Sequence, residues 1–323
     1  MNYNSTSKIK YYTIGFYNLE NLFDTENDPN TLDDDFTESS EKNWTLERYF
    51  KKIKKLGKVI SKLGFNEIQQ PPVIIGVAEV ENSEVLYDLT TSKHLKNKGY
   101  DYIQYDSPDE RGIDTALLFR KDIFTVLSSE AIPLYIKGQF GERDYTRDIL
   151  YVKGSLDTQT VHVLVNHWPS RRTGGTETEY KRIAAAEKNR EIIAGILSEE
   201  PDAKIIIMGD FNDDPSSKSI SKLIAYDFYN PMELLLTYDE GSLNFRGRWN
   251  LFDQIIISNN FLKPHNNCLQ YVKSKVYNPI ELQEYTGKYK GNPFRTYIGD
   301  KYLGGYSDHF PVYEVFSIKK ITF

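Results

Sequence analysis

Nine polar side chains in this sequence fall at the ends of apolar runs: Asn18, Glu79, Asp114, His167, Asp210, Asn212, Asp253, Asp308 and His309. Carboxylates and imidazoles at such exits are expensive to desolvate unless they pair, bind a metal or meet a substrate. Together they supply what P–O bond hydrolysis needs: a cation to neutralise spreading charge, an oriented water and a proton donor. The strongest cluster is Lys204-Ile-Ile-Ile-Met-Gly-Asp-Phe-Asn-Asp213. Read as extended chain, it puts Asp210 and Asn212 on one side, where an acid and an amide can hold a water and a phosphoryl oxygen. Taken alone, the pair reads equally well as turn residues closing a strand. Asn18 could donate to a phosphate or ligate a metal through its carbonyl, and reads equally well as a turn asparagine. Glu79, leaving the apolar run 73–78, favours a hard divalent ligand set, Mg²⁺ or Mn²⁺ before zinc.

Strands are expected at 11–17, 73–78, 100–105, 111–120, 149–153, 160–168, 205–208, 251–258 and 306–316. Residues 121–136 are expected to complete a hairpin with 111–120. Helices are expected at 44–63, 83–91, 176–197 and 216–224. The lysines of 44–63 read as its wet face. Thr176 and Glu179 have the spacing of a capping box. The helix they begin would offer an anion-attracting N-terminus near His167. His162 reads as a core residue by parity. The acidic stretch 24–43 reads as a solvated loop. The stretch 263–305 reads as long, irregular and functional.

The chain has 323 residues, 39% hydrophobic and 14% aromatic, enough for a packed core. A net charge of −6 neither requires nor excludes a polyanionic partner. One cysteine, Cys268, excludes an internal disulfide and a Cys-rich zinc motif. Residues 1–10 are polar, and no apolar run is long enough to span a bilayer. The expectation is a soluble, cytoplasmic monomer.

Seven pieces, in order, carry a resemblance: Phe16-Tyr-Asn-Leu-Glu20, Val77-Ala-Glu-Val80, Gly112-Ile-Asp-Thr-Ala116, Asn166-His-Trp168, Gly209-Asp-Phe-Asn212, Phe252-Asp-Gln254 and Ser307-Asp-His309. The chain resembles the endonuclease/exonuclease/phosphatase superfamily, which includes deoxyribonuclease I. The resemblance implies a four-layer α/β sandwich, two facing mixed sheets flanked by helices, in one domain spanning 1–323. It implies Glu79 as ligand of Mg²⁺ or Mn²⁺ with Asn18 and Asp308 near the ion. Asp210 would activate water, and Asn212 would hold a phosphate oxygen. His309, oriented by Asp253, would stabilise phosphoryl charge. His167, supported by Asp114, would act at the leaving group.

The substrate is less explicit. The leading expectation is a nuclease or related phosphodiesterase, with Arg111, Arg147, Arg171, Arg172 and Arg295 on phosphates and loop tyrosines stacking bases. Second comes a phosphomonoesterase or lipid-headgroup phosphodiesterase, which the acidic balance mildly favours over long duplex binding. Third comes a non-catalytic binding module. A continuous basic track beside Asp210 would favour nucleic acid, and a closed pocket a small phosphate ester.

Overall fold

The computed structural model describes residues 6–138, 141–172, 174–225 and 227–322. The first five residues of the polar N-terminus therefore lie outside the described part. Two six-stranded mixed sheets face each other in an α/β sandwich. The first uses β1 (Thr6–Leu22), β2 (Ile74–Val80), β3 (Tyr100–Gln104) and β4 (Asp114–Arg120), then the late strands β11 (Leu269–Val276) and β12 (Val312–Thr322). The second uses β5 (Phe124–Ile132), β6 (Ile149–Leu156), β7 (Gln159–His167), β8 (Lys204–Asp210), β9 (Phe228–Tyr229) and β10 (Asp253–Ser258). Their orders are β11-β12-β1-β2-β4-β3 and β9-β10-β8-β7-β6-β5.

Alternation along β8 shows why the sheets stack. Ile206 and Met208 join the core between the sheets. Ile205 and Ile207 pack instead with Ala185, Ala186 and Ile193 of helix α3 (Glu179–Glu199). Gly76 lets the sheets approach, since a Cβ there would lie 2.5 Å from the Met208 sulfur. Helix α1 (Leu46–Lys62) buries Tyr49, Ile53, Leu56 and Ile60 in the first sheet's core. Helices α2 (Ser83–Thr91) and α4 (Lys218–Ile224) complete the outer layers.

Four local expectations are corrected. Residues 124–132 do not pair back on β4; they cross to the second sheet and pair with β6, which offers them an eight-residue antiparallel edge. The stretch 263–305 is not irregular throughout, because Leu269–Val276 adds an edge strand to β12. The capping box does not form, since α3 starts at Glu179 and Thr178, with no side-chain cap bond, precedes it. Lys52 is not on the wet face of α1 but 2% exposed. Among the described residues no helix is long and apolar enough to cross a membrane.

Candidate active site

Register builds the second sheet's half of the site. Asp210, the last residue of β8, lies directly beside His167 on β7 and Asp253 on β10. Three strands thus end in line, each with an ionisable residue at its tip. Gly209 makes the closeness possible, because a Cβ there would lie 2.3 Å from the Asn166 carbonyl oxygen. Past Asp210 the chain is not extended. Asn212 has φ +50°, so the turn, rather than strand alternation, sets its direction. Its backbone N–H donates to Asp210 Oδ1 at 2.9 Å, and its side-chain amide donates to the Trp168 carbonyl at 2.9 Å. That bond uses one of the two Asn212 amide hydrogens.

The first sheet supplies the other half. Asn18 near the end of β1 pairs with Ala78 on β2. Glu79 follows as a bulge between Ala78 and Val80, with φ +61°. Bulges re-aim side chains and are frequent next to active sites, and a left-handed non-glycine residue costs on the order of 1–3 kcal/mol. The bulge directs Glu79 toward the facing sheet, where its Oε1 lies 3.8 Å from His167 Nε2.

Asp210 is the centre of the arrangement. Its Oδ2 lies 3.0 Å from Asn18 Nδ2, 3.8 Å from His167 Nε2 and 4.0 Å from His309 Nε2. His309 turns its other nitrogen to Asp253 Oδ2 at 2.7 Å. Burial pushes the Asp210 carboxyl up to about 7, against the pull of His309. Burial disfavours charge on His309, but Asp253, Asp210 and Asp308 outweigh it and hold its pKa well above the usual value. His167 goes the other way. Burial, then Arg147 and Arg111, hold it well below the usual value. The two imidazoles are thus pushed in opposite directions, the separation of environments from which acid and base roles arise.

Several expected partners are elsewhere. His167 Nδ1 is buried without a hydrogen-bond partner, so Asp114 does not support it. The Asp114 carboxylate instead accepts from Gln104 and Ser107. Asn18 offers Asp210 a donor, while its Oδ1 accepts from the Glu20 backbone. Asp308 is paired with Arg295 at 2.5 Å. Arg147 is 7% exposed and donates to Asp109 and the Trp168 carbonyl. Arg171 donates to Asp213 and lies over the Phe252 ring. Arg111 donates to Asn21 and stands 3.9 Å from Glu79. Arg172 is exposed. The five arginines thus form no continuous basic track. Asp109, Asp213, Glu20 and Lys52 were not singled out in the sequence. Only Lys52 carried a signal: it lies three residues after Tyr49 and four before Leu56, on the apolar stripe.

The site fits a divalent cation. Glu79 Oε1 and Asp210 Oδ2 flank the same imidazole nitrogen. Among the described residues no donor reaches Glu79 Oε1 within hydrogen-bond distance. Asp210, Asp253 and His309 also present ligand atoms within 4.8 Å of one another, but the short Asp253–His309 bond already engages two of the three. The Glu79 side, with hard oxygen donors, is the better match for a hard ion. A cavity of about 790 Å³ lies alongside, lined by Glu81, Asp109, Glu110, Asp114 and Tyr145 but by neither Asp210 nor His309.

Residues 13–320 match the family described as Endonuclease/Exonuclease/phosphatase. The chain belongs to that family. Family membership supports a phosphoester hydrolase in general. Similar solved structures share little sequence. A D. rerio TDP2 complexed with single strand DNA product has 17% identity and a TM-score of 0.55, covering 95% of this chain and 98% of that one. A mannosyl-6-phosphatase of Bacteroides thetaiotaomicron has 15% identity and a TM-score of 0.56, covering 97% and 100%. An endonuclease/exonuclease/phosphatase family protein from the same organism has 16% identity and a TM-score of 0.58, covering 96% and 99%. No curated protein matches the chain in sequence.

Proposed function

We propose that the whole chain is one catalytic domain, a divalent-cation-dependent phosphoesterase that cleaves a P–O bond with an activated water. The observation that carries this is Asp210 bracketed by two imidazoles, His167 at 3.8 Å and His309 at 4.0 Å, the second bonded to Asp253. Asp210, fixed by Asn18 and the Asn212 backbone, accepts the proton of the attacking water. The free amide hydrogen of Asn212 holds a phosphoryl oxygen. His309, kept charged by Asp253, donates to the oxygen on which charge develops. His167 faces two carboxylates through Nε2, and burial with Arg147 lowers its pKa, so it is best suited as a hydrogen-bond donor and not as the acid for a leaving group. Mg²⁺ or Mn²⁺, held by Glu79 with Asp210 facing it, would neutralise phosphoryl charge and lower the pKa of water.

The engaged arginines favour a small phosphoester or a strand end over the interior of long duplex DNA, which needs many free cations. The mannosyl-6-phosphatase neighbour agrees with a small substrate. A second reading, a nuclease for single strands, is favoured by the hairpin Leu243–Phe245/Arg248–Asn250. It exposes Phe245 beside Arg246 and stacks Trp249 on Phe310, the residue after His309. The single-strand DNA complex of the TDP2 neighbour agrees with this reading. A screen with Mg²⁺ or Mn²⁺ against p-nitrophenyl phosphate, bis-p-nitrophenyl phosphate, sugar phosphates, single-stranded DNA and RNA separates the two. Absence of hydrolysis throughout, or equal rates in excess EDTA, would sink the proposal.

A further inference from the structure

Helix α1 turns a basic face outward in a chain whose net charge is −6. Its 17 residues carry six lysines and Arg48 against one acid, Glu47. All of those lysines except Lys52 are at least partly exposed. Gly57 brings this face against the turn after α2, because a Cβ there would lie 2.4 Å from Ser92 Oγ. That turn, 92–98, adds Lys93, His94, Lys96 and Lys98 and no acid. Burial, then Lys93, Lys54, Lys58 and Lys62, hold His94 below the usual imidazole value, so four ammonium groups surround one ring.

Elsewhere on the surface lysines meet carboxylates, as Lys218 meets Glu179 and Lys222 meets Glu187. Among the described residues Lys51, Lys54, Lys58 and Lys93 form no ion pair, and Lys62 has only Glu281, at 3.4 Å. Such a cluster repels itself, and an anionic partner relieves the repulsion. Exposed apolar side chains border it at both ends. Leu46 and Phe50 stand one turn apart at the start of α1, 60% and 51% exposed, on the stripe that continues to Lys54. Ile280, 81% exposed, directly precedes the Glu281 that meets Lys62. The helix between these ends is about 25 Å long.

We propose that this face docks on an anionic lipid bilayer, with the lysines over the headgroups and Leu46, Phe50 and Ile280 entering the interface. Clustered lysines gain from a negative lipid surface, and shallow apolar anchors add binding that charge alone lacks. Nucleic acid carries similar charge, but Leu46 and Ile280 offer no ring to stack on a base. The face adjoins the candidate site. Trp44, just before α1, donates to the carbonyl of Phe23, just past the end of the strand that carries Asn18. Lys55 donates to the Gly304 carbonyl and lies 4.8 Å over the Tyr306 ring, next to Ser307, Asp308 and His309 in the chain. The inference goes beyond the phosphoesterase reading and does not rest on it.

The experiment is co-sedimentation of the full chain with vesicles of phosphatidylcholine alone or mixed with phosphatidylglycerol. The wild type should sediment with the mixed vesicles only, and less as salt is raised. Lys54→Gln, Lys58→Gln and Lys93→Gln should each weaken binding about fivefold. Phe50→Ser and Ile280→Ser should weaken it at constant salt. Lys263→Gln, beyond the second sheet's β10, should leave it unchanged. Absence of binding to the mixed vesicles, or equal binding to phosphatidylcholine alone, would overturn the inference. So would vesicle binding that the three lysine changes leave intact. Single-stranded or duplex DNA held by these lysines, without vesicle binding, would make the face a nucleic-acid surface instead. Vesicle binding by a chain that cleaves no phosphoester would refute the proposed function and leave the docking face standing. Phosphoester cleavage without vesicle binding would do the reverse.

Discussion

His309 Nδ1 meets Asp253 Oδ2 at 2.7 Å, and this one bond fixes which nitrogen of the ring faces Asp210. Asp253 is fully buried and its backbone N–H is held by Ser242 at 3.3 Å. Its expected effect is therefore through His309. His309→Ala should lower the turnover rate by ~10²–10⁴, the scale of losing a preorganised charge stabiliser. Asp253→Asn should cost less. The double variant should be no worse than His309→Ala alone, because both changes break one unit. Additive losses would break the pair apart.

Asp210→Asn retains size and polarity but removes the proton acceptor. The rate should fall by ~10²–10⁴, with substrate KM changed far less than turnover. A variant that keeps most of its turnover would assign the base to another group.

Glu79→Gln tests the metal at the bulge. Thermal stabilisation by millimolar Mg²⁺ or Mn²⁺ should be present in the wild type and absent in the variant, since a ligand stabilises only the state that binds it. Activity should disappear in excess EDTA and return with either ion. A melting temperature unmoved by both ions would place the cation elsewhere or nowhere.

Much of this was legible before the fold was known, for a specific reason. Asp210 and His167 each close a strongly apolar run and Asp253 opens one, and runs of that kind become adjacent central strands whose tips meet. What could not be read was anything set by a contact across the chain. The pairings of Arg147 with Asp109 and Arg295 with Asp308 join separate loops, so arginines near the motifs looked free for phosphate. The Glu79 bulge inserts one residue that periodicity cannot reveal. Strand 124–132 failed for the same cause: its partner, 149–156, lies beyond a loop, while a nearer strand invited a hairpin.

His162 should make stability pH-dependent away from the active site. It is 2% exposed, with Tyr151 at 2.8 Å and Glu200 at 3.2 Å from its two nitrogens. Burial, partly offset by Glu200, holds its pKa below 6.5 in the folded chain. Its unfolded form thus binds a proton first, so its contribution is full above pH 6.5 and is lost as pH falls through the folded value. His162→Gln should flatten that part of a urea-denaturation profile measured between pH 7.5 and 5. An unchanged slope would show that His162 titrates alike in both states.

Arg171 and Arg172 are neighbours with opposite expected outcomes. Arg171 donates to Asp213, which is 2% exposed and also takes Ser219 and Arg182. Its guanidinium carbon also lies 4.8 Å from the Phe252 ring centre. Truncating it leaves a buried carboxylate with one cation fewer. Arg171→Ala should therefore cost ~1.5–3 kcal/mol of stability, the range for a hydrogen bond to a charged group. Arg172 is exposed, and Arg172→Ala should stay within about 0.5 kcal/mol of wild type. Function should divide differently. Hydrolysis of bis-p-nitrophenyl phosphate should survive both changes wherever the chain remains folded, because Arg171 is committed to Asp213 and Arg172 is exposed. If Arg172→Ala weakens binding of single-stranded DNA and reduces its salt dependence, Arg172 contacts a flanking phosphate. If DNA binding is unchanged, recognition rests on the hairpin, and Arg248→Ala is the next variant to measure.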